Sequence, residues 1–78
     1  MNPQELIRRI AVALVDKPDE VNVNVIEGTR TTVIELEVAK EDTGKIIGKK
    51  GQTANAIRTI LSAVSAKIKH PFIIEIVD

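Results

Sequence analysis

Cysteine is absent from the 78-residue chain, so a disulfide scaffold, a thiolate metal site and a cysteine nucleophile are all excluded. Tryptophan and tyrosine are absent too, and Phe72 is the single phenylalanine. That removes the aromatic platforms on which RNA-recognition motifs and OB-folds stack bases. One histidine, His70, cannot furnish a histidine metal cluster, and a triad built on it lacks its companions; it sits before Pro71 and is read as an exposed loop residue. No apolar run approaches the length of a membrane span. The N-terminal stretch "MNPQELIRRIAVALVDKP" is cut by Arg8 and Arg9 and has helical rather than signal-peptide character. The chain is expected to be soluble and cytoplasmic, without membrane contact.

What is present is aliphatic. Hydrophobic residues make up 44% of the chain, chiefly Ile, Val and Leu, which suits one small folded domain over residues 1–78. A core of this size supplies only a few kcal/mol of net stability, so a partner or dimer contact would help hold the fold. The formal net charge is zero, but it is unevenly laid out. Between Thr43 and Lys69 there is no acidic residue and there are six basic ones, Lys45, Lys49, Lys50, Arg58, Lys67 and Lys69. The remaining segments hold five basic residues against eleven acidic ones, so a +6 segment lies within a −6 frame. A local excess of this kind is what a polyanion senses.

Patterning gives the order α-β-β-α-α-β. Asn2 and Pro3 start a helix, as N-cap and first helical residue. Leu6, Ile7, Ile10, Ala13 and Leu14 form its apolar face, and Lys17-Pro18 ends it. "VNVNV", Val21 to Val25, alternates as a half-buried strand does. A turn at Glu27–Arg30 leads into "TTVIELEV", with Ile34, Leu36 and Val38 on one face and Glu35 and Glu37 on the other, predicting an antiparallel hairpin. Asp42 or Thr43 is placed to cap a short helix through Lys45, Ile46 and Ile47. A longer helix opens at Gln52 or Thr53 with a core stripe of Ile57, Leu61, Val64 and Ile68, and His70-Pro71 breaks it. "FIIEIV" closes the pattern as a third strand. The expected fold class is α+β, with helices packed on one face of a three-stranded mixed sheet.

The chemistry concentrates at "IIGKKGQT", a Gly-x-x-Gly between two helices. Without side chains at Gly48 and Gly51, a phosphodiester can approach the main chain, and the next helix begins at once with its positive dipole end. Lys49 and Lys50 add two cations at the tip. The pattern is not a Walker loop, because Gly44 and Gly48 are too close and no Gly-Lys-Ser/Thr follows. Together with the element order, "IIGKKGQT" resembles the KH signature I-I-G-x-x-G in its type II, bacterial arrangement, in which two of three strands run parallel. "DTGKIIGKKGQTANAIRTIL" and the ending "IEIVD" resemble the small bacterial single-KH-domain family called KhpA.

That resemblance implies single-stranded RNA binding, homodimerisation, and pairing with a larger KH-containing protein of the Jag type. It also implies post-transcriptional control or RNA chaperoning tied to cell elongation and division. Carried over by position, Gly48, Lys49, Lys50 and Gly51 form the clamp, and Ile47 and Ala54 border the groove. The charge pattern adds Lys45 and Arg58 as supporting cations, while Lys67 and Lys69 read as a solvated helix face. Ile60 lies at the margin of the core stripe and is read first as core. The shoulder it makes with Ala56 and Ala63 is the candidate dimer contact. The carboxylates Asp16, Asp19, Glu20, Glu35, Glu37, Glu41 and Asp42 lack companion groups for acid–base work, so no enzyme and no cofactor are expected. A second reading keeps the fold but makes it a protein-interaction module with little affinity for RNA. Single-stranded DNA remains open as a ligand at this level.

Overall fold

The computed structural model describes residues 2–77. Met1 and Asp78, the two ends of the expected domain, lie outside the described residues. The main elements are α1 (Pro3–Leu14), β1 (Asn22–Glu27), β2 (Thr32–Glu37), α2 (Thr43–Ile47), α3 (Gln52–Ile68) and β3 (Phe72–Val77). Short 3-10 turns occupy Pro18–Glu20, Lys40–Asp42 and Lys49–Gly51.

The start of α1 follows its sequence. Asn2 Oδ1 accepts the N–H of Glu5 at 2.7 Å, and Pro3 takes the first helical position, where a missing N–H costs nothing. The helix ends at Leu14, three residues before Lys17. Two causes combine there: Pro18 disfavours helical backbone at Lys17, and the N–H groups of Asp16 and Lys17 are drawn away to the carboxylate of Asp42. Ile7 and Ala11 carry the buried face, with Ile10 half-buried, whereas Ala13 and Leu14 are exposed rather than part of it.

In the sheet, order β1-β2-β3, β1 and β2 are antiparallel, and β2 and β3 are parallel, joined by the crossover through α2 and α3. Register places Val25, Ile34 and Ile74 in one row and Val23, Leu36 and Ile76 in the next, all on the helix side. Of these, Ile34, Leu36 and Ile74 join Ile7, Ala11, Val21, Val38, Ile46, Ile57 and Leu61 in a single aliphatic core, with Val23 and Ile76 half-buried against it. Each large side chain fully withdrawn from water contributes roughly 1.5–3 kcal/mol before entropy is counted.

The stripe on α3 is shorter than its sequence suggests. Ala54, Ile57 and Leu61 are buried, Val64 is half-buried, and Ile68 is 48% exposed instead of core. At ~1.5 Å per residue α3 is about 25 Å long, whereas a six-residue strand spans about 20 Å, so the last turn overhangs the sheet. Ser65 marks the limit: its Oγ accepts the N–H of Phe72 at 3.0 Å and donates to the Leu61 carbonyl at 2.9 Å. His70 is not a free loop residue. Its Nε2 lies 2.7 Å from Oγ1 of the buried Thr32, and its ring meets Phe72 edge-on at 5.1 Å.

Candidate nucleic-acid interface

Between α2 and α3 the chain turns through Gly48 (φ +77°), Lys49, Lys50 (φ +56°) and Gly51 (φ +75°). The two glycines serve different ends. A Cβ on Gly48 would fall 2.2 Å from Thr53 Oγ1 and 2.8 Å from the Thr53 nitrogen, so Gly48 is demanded by the closeness of the two helices. A Cβ on Gly51 would meet nothing within 4 Å, so Gly51 supplies left-handed backbone and leaves the surface bare. Gly48→Ala is therefore expected to cost about 2–4 kcal/mol in chemical denaturation, and Gly51→Ala about 1 kcal/mol, from backbone strain alone.

The turn takes up some of its own donors: the N–H groups of Gly48, Gly51 and Gln52 go to the carbonyls of Gly44, Gly48 and Lys49. No side chain caps the start of α3, which leaves the positive end of a 17-residue helix open beside the loop. Lys50 holds a left-handed conformation that costs a residue with a Cβ about 1 kcal/mol, and both lysines are exposed. Among the described residues neither Lys49 nor Lys50 has an ion-pair partner.

Lys45 is placed differently. Its ammonium lies 3.1 Å from Asp16 Oδ2 and 3.3 Å from Asp42 Oδ1, and the Asp16 hydrogen bond, followed by that to Asp42, raises its pKa. It is thus engaged with two carboxylates and not held toward the loop. Asp42 sits at the N-cap position of α2 yet makes no side-chain cap; its carboxylate, 1% exposed, instead accepts the N–H groups of Asp16 at 3.2 Å and Lys17 at 3.0 Å. Burial pushes its pKa up, but these two N–H groups and Lys45 outweigh it and hold the carboxyl below its ordinary range. The result is a tie between the end of α1 and the helix that carries the glycine loop.

A groove of about 370 Å³ runs from the loop along β3. Ile47, Gly51, Ala54, Asn55 and Arg58 line one wall, and Ile74, Glu75 and Ile76 line the other. Ile47, Gly51, Ala54 and Arg58 are expected from the sequence; Asn55 and the whole second wall are not. Ile47 is exposed at the rim, Ala54 is buried in the wall, and Arg58 is exposed, with its guanidinium donating to Asn55 Oδ1 at 3.2 Å. Ala56, Ile60 and Ala63 are exposed along the outer side of α3, away from this groove.

Strand β3 is also an open edge. The Pro71 carbonyl accepts the Thr32 N–H at 3.0 Å, while the N–H of Phe72 turns the other way, to Ser65. In a parallel ladder this alternation continues, so Ile74 and Ile76 direct their N–H and C=O groups away from β2 and toward the groove. Those groups are free to hydrogen-bond an extended ligand lying in the groove. The signal for this wall, an apolar strand parallel to its neighbour, appears only once the pairing is known.

A Gly-x-x-Gly turn between two helices, facing the free edge of a strand in an α-β-β-α-α-β mixed sheet, defines a KH domain of type II. The family model for the KH domain of KhpA/KhpB matches residues 4–76, and the chain belongs to that family. It is 52% identical over 77 residues to RNA-binding protein KhpA of Borreliella burgdorferi, covering 99% of this chain and 94% of that one. With RNA-binding protein KhpA of Caldanaerobacter subterraneus subsp. tengcongensis it shares 53% identity over 73 residues, covering 94% and 97%. Among solved structures the fold is similar to part of Era, in a complex of Era with MgGDPNP and nucleotides 1506–1542 of 16S ribosomal RNA. There the TM-score is 0.59 at 24% identity, over 95% of this chain and 28% of Era, so the likeness is one of fold.

Proposed function

We propose that the chain binds single-stranded RNA, with Gly48–Gly51 holding the phosphate backbone and the groove beside β3 receiving the bases. The observation that carries this reading is the pairing of a Lys49–Lys50 tip, without an ion pair among the described residues, with a groove whose far wall is an open strand edge. The membership of its relatives, named as RNA-binding proteins and not as enzymes, supports it. KH domains of this kind take about four nucleotides. With Lys49, Lys50 and Arg58 as the available cations, about three phosphates are neutralised, so the log–log salt slope for a short labelled RNA should lie near −2. Fluorescence anisotropy between low and physiological salt checks this. Absence of salt-dependent binding at micromolar protein would favour the interaction-module reading instead.

The working form in this reading is a homodimer, or a heterodimer with a larger KH-containing protein of the Jag type, joined through the outer side of α3. Ala56, Ile60 and Ala63 follow one another at i, i+4 and i+7, all are exposed, and Ile60 is 44% exposed rather than core. Ile60→Asp is expected to shift the mass measured by light scattering from dimer to monomer while circular dichroism at about 25 °C keeps its native helical signal. Aromatics are too few for stacking, so two copies would supply by avidity what one groove lacks. Post-transcriptional control linked to cell elongation and division rests on the family resemblance alone, and action in the cytoplasm on the character of the N-terminal stretch and the short apolar runs.

A further inference from the structure

The face of the sheet turned away from the helices has no protein layer on it, and its register sorts it into three rows. Ile26, Val33 and Ile73 form the first row across all three strands, Asn24, Glu35 and Glu75 the second, and Asn22, Glu37 and Val77 the third. Ile73 and Ile26, at 54% and 52% exposed, are the most exposed large apolar side chains among the described residues. Beyond the third row the surface dips into a hollow of about 840 Å³ that shares Asn22 and Glu37 with the sheet and adds Asp19, Glu20 and Lys40. The band from the second row into the hollow therefore holds five carboxylates and one ammonium, and among the described residues none of the five is in an ion pair.

From this arrangement we infer that the open sheet face is a docking surface for a basic protein segment carrying a large apolar side chain at one end. The apolar row receives the anchor, and the carboxylates of the sheet and hollow receive Lys or Arg further along. Rows two residues apart are separated by ~6.7 Å, so the anchor lies about 7 Å from a basic side chain on Glu35 and Glu75 and about 13 Å from one on Glu37, roughly four to nine residues of helix. Charge decides the class of occupant. A phosphodiester or an anionic membrane is repelled by this face. A second copy joined through it by a two-fold axis would set Glu35, Glu37 and Glu75 against themselves. A face kept only for solubility would not place two isoleucines at the ends of one row. Glu75 is shared with the wall of the groove, whereas Ile26, Val33, Ile73, Glu35 and Glu37 lie outside it, so failure of this proposal would leave the RNA reading intact.

The test uses the full chain and two labelled synthetic helical peptides, one with a leucine pair in the first turn and lysines two to three turns later, the other with glutamate in place of lysine. The lysine peptide is expected to bind, with NMR shift changes at Ile26, Val33, Ile73 and Glu37, and the glutamate peptide is not. Ile26→Ser with Ile73→Ser, and separately Glu35→Gln with Glu37→Gln and Glu75→Gln, are each expected to weaken binding about ten-fold or more. All five side chains lie on an open face, and the shift map on the unmodified chain does not depend on any variant folding. Failure of the lysine peptide to bind overturns the proposal. So does binding that ignores Ile26 and Ile73, or shifts that fall in the groove or on the outer side of α3.

Discussion

Replacing Lys49 and Lys50 together with aspartate is expected to lower affinity for a short single-stranded RNA by about 100-fold or more, because two cations at the phosphates become two anions. The melting temperature should move by no more than about 2 °C, since neither lysine touches a partner and both are exposed. Aspartate also tolerates the left-handed backbone at position 50 better than most residues. Anisotropy titration of the variant beside a thermal melt separates lost binding from lost fold. Lys45→Ala supplies the contrast: it removes a charge near the loop, but one already engaged by Asp16 and Asp42, so it should disturb stability more than RNA affinity. Undiminished binding by the aspartate double variant would remove the loop from the interface.

Asp42→Ala is expected to lower the melting temperature by about 10 °C or more for a domain of this length. The carboxylate is buried and satisfies two backbone N–H groups and one ammonium, so its removal leaves all three without that partner. Its pKa is lowered in the folded chain, so its contribution is complete above the unfolded value near 3.9 and is lost as pH falls through the lower, folded value. Lys45 is raised, so its contribution is complete below the unfolded lysine value near 10.4 and is lost only above it. Stability from this tie is thus flat across neutral pH and collapses below about pH 4. Urea denaturation at a series of pH values should show that acid slope in the native chain and a shallower one in Asp42→Asn.

Much of this was legible in the residues. Alternation of "VNVNV" and "TTVIELEV", the Asn2-Pro3 start and the Gly-x-x-Gly break each depend on neighbours close in sequence, and each element appears, though the first strand runs Asn22–Glu27 rather than Val21–Val25 and takes in the first residue of the expected turn. Asp42 shows where local reading stops. Its sequence neighbours suggest a helix cap, but its partners Asp16 and Lys17 are more than twenty residues away. Ile68 fits the periodicity of a buried stripe, yet it lies past the point where β3 begins, and the length of a facing strand is not written in the helix. Gly48 reads in sequence as room for a phosphate, and its missing side chain also makes room for Thr53, a contact no local pattern announces. Ile74 and Ile76 read as ordinary core alternation, while their contribution to the groove lies in backbone groups that carry no sequence signal.

The crossover between β2 and β3 bears on how the groove comes into being. Thr32 and Phe72 are neighbours across the ladder but forty residues apart in the chain, whereas β1 and β2 meet through a four-residue turn. The hairpin can therefore close early, and the parallel pairing must wait for the whole helical excursion to fold back, the slower kind of search. One wall of the groove is the strand that arrives by this route. Transient peeling of β3 from the sheet would abolish the groove while the hairpin and α1 stay paired, which makes ligand affinity a readout of the least local pairing in the molecule.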